Sequence, residues 1–192
     1  MIYIVRHGQT DWNVKHITQG QTDTKLNSNG IKQAKEVSEK ISNLKIDRII
    51  SSDLARTYMT AQIINEKFNK VIEKDKRLRE FNYGKLEGIS RDEITQEMWE
   101  KFNENPKKFN AETPHEIFDR IKSFIDELKD ENLNTNFLIV THGGPIRMID
   151  YYLNNGNNFD SKQFLEIYAD KKINNLELFT INEKMKFEKY AL

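Results

Sequence analysis

Residues 137 to 147 read FLIVTHGGPIR, and this stretch constrains the fold more than any other. Four successive apolar residues leave a strand without a water-facing side. Such a strand must lie inside a sheet covered on both faces, the usual setting of a central parallel strand. Pro145 lacks an N–H and starts a helix at no cost there, carrying Ile146, Ile149 and Leu153 on its apolar side. A buried strand running directly into a helix is half of a βαβ unit.

The rest of the chain repeats this grammar. Met1 to Val5 read as a first strand, and a polar loop through Asn29 leads to a helix with apolar residues at Ile31, Ala34, Val37, Ile41 and Leu44. Ile46 to Ser51 read as a second strand, followed by a helix striped with Leu54, Tyr58, Ala61, Ile64 and Phe68. Val71 and Ile72 make a short third strand. Residues 73 to 112 are charged and turn-rich, with a short helix expected near Glu93 to Phe102. Met98, Trp99 and Phe102 are expected to pack this stretch against the sheet. Thr113-Pro114-His115-Glu116 is a helix start, with Thr as N-cap, Pro in the first position and Glu completing a capping box. Leu176 to Ile181 and Met185 to Tyr190 read as a closing pair of strands. The expected architecture is a three-layer α/β/α sandwich, a mostly parallel sheet with helices on both faces.

A chain of 192 residues suits one domain over residues 1–192. Thirty Lys and Arg balance thirty Asp and Glu, so no global field draws the chain to nucleic acid or an anionic membrane. Any anion is caught locally. Cysteine is absent, which removes disulfides, thiol nucleophiles and thiolate metal sites. No apolar run approaches the ~20 residues needed to cross a bilayer, and the short apolar start has no basic segment before it. A cytoplasmic protein with a small-molecule partner is expected, and its oligomeric state is not encoded in any pattern visible here.

Three polar clusters follow three strands: Arg6-His7, Ser51-Ser52 with Arg56, and Thr141-His142. Ligands of open α/β sheets bind beyond the carboxyl ends of the strands, so these clusters converge. Each also approaches a helix start, where free N–H groups favour an anion. Two arginines and two histidines there describe a phosphate cradle. A neutral imidazole can attack phosphorus, and a protonated one can stabilise its oxygens. Gly8 allows close approach of the backbone to a ligand and can orient the first imidazole through a carbonyl. Transfer from an alkyl ester needs a proton donor. Glu80, Asp75, Glu87 and Asp92 are the candidates, and residue chemistry alone leaves that choice open. His16 and His115 lack a partner pattern and are expected to be surface or capping residues.

RHGQTDWN, QGQTDTKLNSNGIKQA, SSDLARTYMTA, LREFNYGKLEG, ETPHEIFDR and VTHGGPIR occur in order between Ile2 and Arg147. Together they resemble the histidine phosphatase superfamily, the phosphoglycerate mutase-like proteins. The resemblance implies that His7 is the nucleophile that becomes phosphohistidine. It implies that Arg6, Arg56 and His142 hold the phosphoryl group and that Glu80 is the proton donor. Asn13 and the backbone at Gly143 match positions that contact the phosphate, and Gln19, Gly20 and Tyr83 are expected to bind substrate beside them. The family's chemistry needs neither metal nor cofactor, and none is expected here.

Within that resemblance, mutases carry an Arg directly after the acid and a basic set in a long following insertion. Here Phe81 and Asn82 stand in that place, and about thirty residues separate Glu80 from Thr113. The expectation is therefore a phosphomonoesterase acting on a small phosphorylated metabolite, with a short insertion at about 81–112 over the active site. A bisphosphoglycerate-dependent mutase is the alternative. A silent phosphate-binding module is disfavoured, because both nucleophile and acid are retained.

Overall fold

A computed structural model describes residues 1–130 and 135–191. Six strands form one sheet: β1 (Ile2–Arg6), β2 (Arg48–Ser51), β3 (Ile72–Lys74), β4 (Phe137–Thr141), β5 (Leu178–Ile181) and β6 (Phe187–Lys189). Their spatial order is β3-β2-β4-β1-β5-β6. The first four in that order are mutually parallel, and β5 and β6 add two antiparallel neighbours at one edge.

The centre of the sheet is where the unbroken apolar run puts it. All five residues of β4 are buried, and its side chains alternate between two apolar layers. Phe137 and Ile139 join Ile2 and Ile4 on one face, whereas Leu138 and Val140 join Val5 and Ile49 on the other. Burying each such side chain stabilises the fold by roughly 1.5 to 3 kcal/mol, so a polar residue at either layer of β4 would be costly.

Helices α1 (Asp11–Val14), α2 (Ser28–Lys40), α3 (Ala55–Asn65), α4 (Gln96–Glu104), α5 (Pro114–Asp130), α6 (Gly143–Asn155) and α7 (Ser161–Asp170) complete the chain. Ala34 and Val37 of α2 and Ala61 and Ile64 of α3 cover one face, and Ile117, Ile121 and Phe124 of α5 and Ile146 and Ile149 of α6 cover the other. The capping box at Thr113 forms as expected. Glu116 N–H donates to the Thr113 hydroxyl at 3.2 Å, and Thr113 N–H donates to the Glu116 carboxylate at 2.7 Å.

Several boundaries differ from the sequence reading, each for a local reason. β1 continues through Arg6, whose backbone stays in register with Thr141. The third strand begins at Ile72, and Val71 is 83 % exposed. The closing strands are shorter because Leu176 and Met185 adopt left-handed backbone, with φ of 58° and 57°. The helix expected from Pro145 starts at Gly143, so Pro145 lies inside the first turn, where no helical bond needs its N–H. Helices α1 and α7 were not anticipated. The stretch after β3 folds into short helical turns around an aromatic cluster, in which Phe102 packs on Phe81, Tyr83, Trp99 and Phe109 at 5.5 to 6.3 Å between ring centroids. Among the described residues no helix is long and apolar enough to cross a membrane.

Candidate active site

The carboxyl ends of β1, β2 and β4 lie side by side, which brings the three polar clusters to one rim. The His7 and His142 rings meet nearly edge to face with centroids 5.1 Å apart. Both are buried, at 2 % and 0 % exposure. His7 Nδ1 lies 2.7 Å from the Gly8 carbonyl oxygen. A carbonyl only accepts, so Nδ1 carries the proton and the lone pair of the neutral ring sits on Nε2. Asn175 Nδ2 donates to the His7 carbonyl at 2.9 Å, fixing the residue from the start of the β5 approach. On the other ring, His142 Nε2 pairs with Ser52 Oγ at 3.0 Å, and its buried Nδ1 has no hydrogen-bond partner among the described residues.

Burial, then the charges of Arg56 and Arg6, push the His7 imidazole well below its ordinary pKa of 6.5. Burial followed by Arg56, His7 and Arg6 does the same to His142. Both rings are therefore neutral near pH 7 when the site holds no anion.

Arg56, in the first turn of α3, is fully buried. Its Nη2 donates to the Gly20 carbonyl at 2.7 Å and its Nη1 to the Thr22 carbonyl at 2.9 Å, while Nε is buried with no partner among the described residues. Burial lowers its pKa to about 10, against the opposing pull of Glu80 and Asp23, so the guanidinium stays charged at neutral pH. Arg6 Nη1 donates to the Ile173 carbonyl.

The Glu80 carboxylate accepts from Phe81 N–H at 2.8 Å and from Gly144 N–H at 3.0 Å. The second of these is one of the first-turn N–H groups of α6 that no helical carbonyl can use. A Cβ on Gly143 would sit 3.9 Å from Arg6 Nε and 4.0 Å from Glu80 Oε2. The arginine, the carboxylate and the helix start therefore border one space. The other acidic candidates stand apart from that space or are occupied. Asp75 is bound to Arg77 at 2.6 Å, Glu87 is held by backbone N–H groups, and Asp92 is exposed.

Of the remaining positions singled out in the sequence, Asn13 is tied to this rim through Asn175 and Gly20 through Arg56. Asn13 closes a capping box with Thr10 at the start of α1, accepting from Thr10 N–H at 3.0 Å. Gln19 Oε1 accepts from Thr24 Oγ1 at 2.7 Å and Thr10 Oγ1 at 3.0 Å. Gly20, with φ of +50°, offers its carbonyl to Arg56. Tyr83 is 8 % exposed, its ring 5.0 Å from that of Phe81. The Gly8 carbonyl orients the His7 ring as expected, and the residue has a further structural reason to be glycine: a Cβ there would lie 2.6 Å from the Gly30 carbonyl oxygen, so it permits α2 to press against the loop. His115 packs its ring on Phe159, 4.7 Å away.

Arg120 escaped the sequence reading, although it closes the ETPHEIFDR block. It reaches from α5 to the Glu80 carbonyl at 3.2 Å while pairing with Glu112 at 2.5 Å. Gln21 Nε2 donates to the same carbonyl at 3.1 Å. These two side chains also line, with Asn82, Lys107 and Glu112, a cavity of about 520 Å³.

The carboxyl rim of this α/β sheet thus gathers two buried histidines, the buried Arg56 and the half-buried Arg6, a group of side chains chemically suited to an anion. More particularly, the family model of the histidine phosphatase superfamily (branch 1) matches residues 2–178, and the chain belongs to that family. "Phosphoglycerate mutase-like protein 4" of Arabidopsis thaliana is 35 % identical over 157 residues, which is 77 % of this chain and 68 % of the relative. "Probable phosphoglycerate mutase GpmB" of Escherichia coli is 37 % identical over 148 residues, covering 74 % and 69 %. Among solved structures, a mycobacterial glucosyl-3-phosphoglycerate phosphatase in complex with VO3 superposes with a TM-score of 0.81 at 25 % identity, over 99 % of this chain and 96 % of that one. The α-ribazole phosphatase of Shigella flexneri shares the fold at a TM-score of 0.79 and 22 % identity, over 100 % and 95 %.

Proposed function

We propose that the chain is a metal-independent phosphomonoesterase that hydrolyses a small phosphorylated metabolite through a phosphohistidine on His7. The observation that carries this reading is the His7 ring itself, neutral, buried and turned by the Gly8 carbonyl so that Nε2 bears the lone pair. In the first step Nε2 attacks phosphorus, an N–P bond forms, the ester P–O bond breaks, and Glu80 gives its proton to the departing alcohol. In the second step Glu80 takes a proton from water as it attacks, the N–P bond breaks, and free phosphate and neutral His7 are regenerated.

Arg56 Nε and His142 Nδ1, which have no partner among the described residues, are buried polar atoms that an anion would satisfy. Arrival of a dianion would also favour protonation of His142, which then stabilises the phosphoryl oxygens. Asn13, Gln19, Gly20 and Gly143 are assigned to substrate contact in this reading, with Tyr83 shaping the wall behind them. The cavity lies behind Glu80, whose backbone carbonyl Gln21 and Arg120 hold, and the hydrogen-bonding side chains of Gln21, Asn82, Lys107 and Arg120 along it favour a leaving alcohol bearing hydroxyl or carboxylate groups.

The names of the curated relatives support a mutase as the second reading. Against it, Phe81 is 6 % exposed and Asn82 Oδ1 accepts from Gly84 N–H at 2.8 Å, so neither supplies a cation to hold a second acidic group. A panel of phosphorylated metabolites assayed with EDTA, and 3-phosphoglycerate assayed with bisphosphoglycerate, tests the choice. Phosphate release is expected to exceed isomerisation greatly and to survive EDTA. Fast bisphosphoglycerate-dependent isomerisation would reverse the assignment, and loss of activity restored by magnesium would remove the metal-independent mechanism.

A further inference from the structure

Glu87 belongs to the LREFNYGKLEG stretch and is one of the carboxylates that residue chemistry alone left as a possible acid. Its surroundings give it another task. Oε1 accepts from Gln21 N–H at 2.9 Å and from Tyr83 N–H at 3.0 Å, and Oε2 accepts from Thr22 N–H at 2.8 Å and Thr22 Oγ1 at 2.6 Å. Consecutive backbone N–H groups converging on one anion form a nest, here made possible by the left-handed Gly20 before them. The Gly20–Gln21 peptide, and the one that follows Thr22, turn their oxygens the other way. Gly20 and Thr22 carbonyls accept from the two Nη atoms of Arg56. The loop from Gly20 to Thr22 is thus held between a carboxylate on its N–H side and a guanidinium on its C=O side.

We propose that Glu87 is a positioning residue, which fixes this loop against the acid-bearing stretch so that its carbonyls hold Arg56 with Nε directed at the phosphoryl group. The proposal rests on the phosphomonoesterase reading for its kinetic consequences but not for the geometry of the clamp. Two facts favour it over a role in proton transfer. All four hydrogen bonds use its two oxygens as acceptors, so both are engaged in holding the loop. Gly20 is also shaped to Glu87, since a Cβ at position 20 would fall 2.0 Å from Glu87 Oε1. The nest is filled from within the chain, so its N–H groups hold Glu87 rather than a bound phosphoryl group.

Glu87→Gln tests the idea, because an amide keeps one acceptor but presents a donor where Thr22 N–H points. Misplacement of about 1 Å near a reacting group can cost about 100-fold in rate. The variant is expected to lose ~10- to 100-fold in kcat/KM and in vanadate affinity, by the same factor for an alkyl and an aryl phosphate. Amides of Gln21, Thr22 and Tyr83 are expected to exchange faster with solvent than in the parent protein. Unchanged exchange and unchanged vanadate affinity would overturn the proposal. A loss confined to the alkyl ester would make Glu87 an acid instead. If Glu87→Gln melts without cooperativity, Thr22→Val decides: it removes only the hydroxyl contact and is expected to give a smaller loss of vanadate affinity, and no loss would overturn the clamp. A parent protein that neither hydrolyses phosphomonoesters nor binds vanadate would defeat the phosphatase reading, while amide exchange would still judge the clamp.

Discussion

His7 and His142 stand with ring centroids 5.1 Å apart although they come from the ends of two different strands. The pairing of Arg6 with Thr141 across β1 and β4 sets this separation, because each histidine is the residue that follows. His7 N–H donates to the Thr141 carbonyl at 3.0 Å, extending the ladder by one bond past the named strands. Backbone pairing, rather than side-chain flexibility, therefore sets the distance between the proposed nucleophile and its partner. Phosphoryl transfer draws its rate from placement and charge stabilisation of this kind.

Covalent catalysis at His7 is expected to leave a trace. Phosphohistidine is acid-labile, so an alkaline quench during turnover is expected to show one phosphoryl group on the peptide containing His7. Replacing His7 by Ala is expected to abolish both adduct and turnover. Near-normal activity in that variant would rule out the mechanism.

Glu80 is tested through the leaving group. An aryl oxide departs with little help, whereas an alkyl alkoxide needs its proton in the transition state. General acid catalysis typically contributes ~10² to 10⁴ in rate, so Glu80→Gln is expected to lose on that order in kcat/KM for an alkyl ester and clearly less for p-nitrophenyl phosphate. Equal losses for both esters would reduce Glu80 to a binding residue.

The two depressed histidines tie stability to pH. Their unfolded pKa is near 6.5 and their folded values lie well below it. Under ~6.5 the unfolded chain binds protons that the fold excludes. Stability is thus full above that pH and is lost as pH falls toward the folded values, by at most about 1.4 kcal/mol per pH unit for each histidine. Urea unfolding in phosphate-free buffer between about pH 7.5 and 5.5 measures the slope. His142→Asn is expected to flatten it by about one proton, and an unaltered slope would contradict the burial argument.

Much of this architecture was legible from residue patterns, since β4 is an unbroken apolar run and α2 and α5 carry enough apolar positions on one side for their helical period to show. Helix α7 has apolar residues, but over residues 161–167 only Phe164 is buried, so the helix face is weakly marked and Asp160 as N-cap was the available signal. Helix α1 spans a single turn, too short for any period, although its Thr10 and Asn13 capping pair is visible in the sequence. Of the site, the residues that follow strands could be read because topology forces them together. Asn175 and Arg120 could not, since each reaches the site from an unremarkable helix or turn and acts on backbone carbonyls that no sequence pattern marks.

The central pairing of β1 with β4 joins the beginning of the chain to its last third. A growing polypeptide emerging from the ribosome therefore carries His7, Arg56 and Glu80 long before it has the strand that aligns them. Contacts so distant along the chain form slowly, because closure of the intervening loop must precede any gain from the pairing. Nascent or truncated chains ending before Thr141 are thus expected to lack the proposed site, which is aligned only once the middle strand pairs with β1.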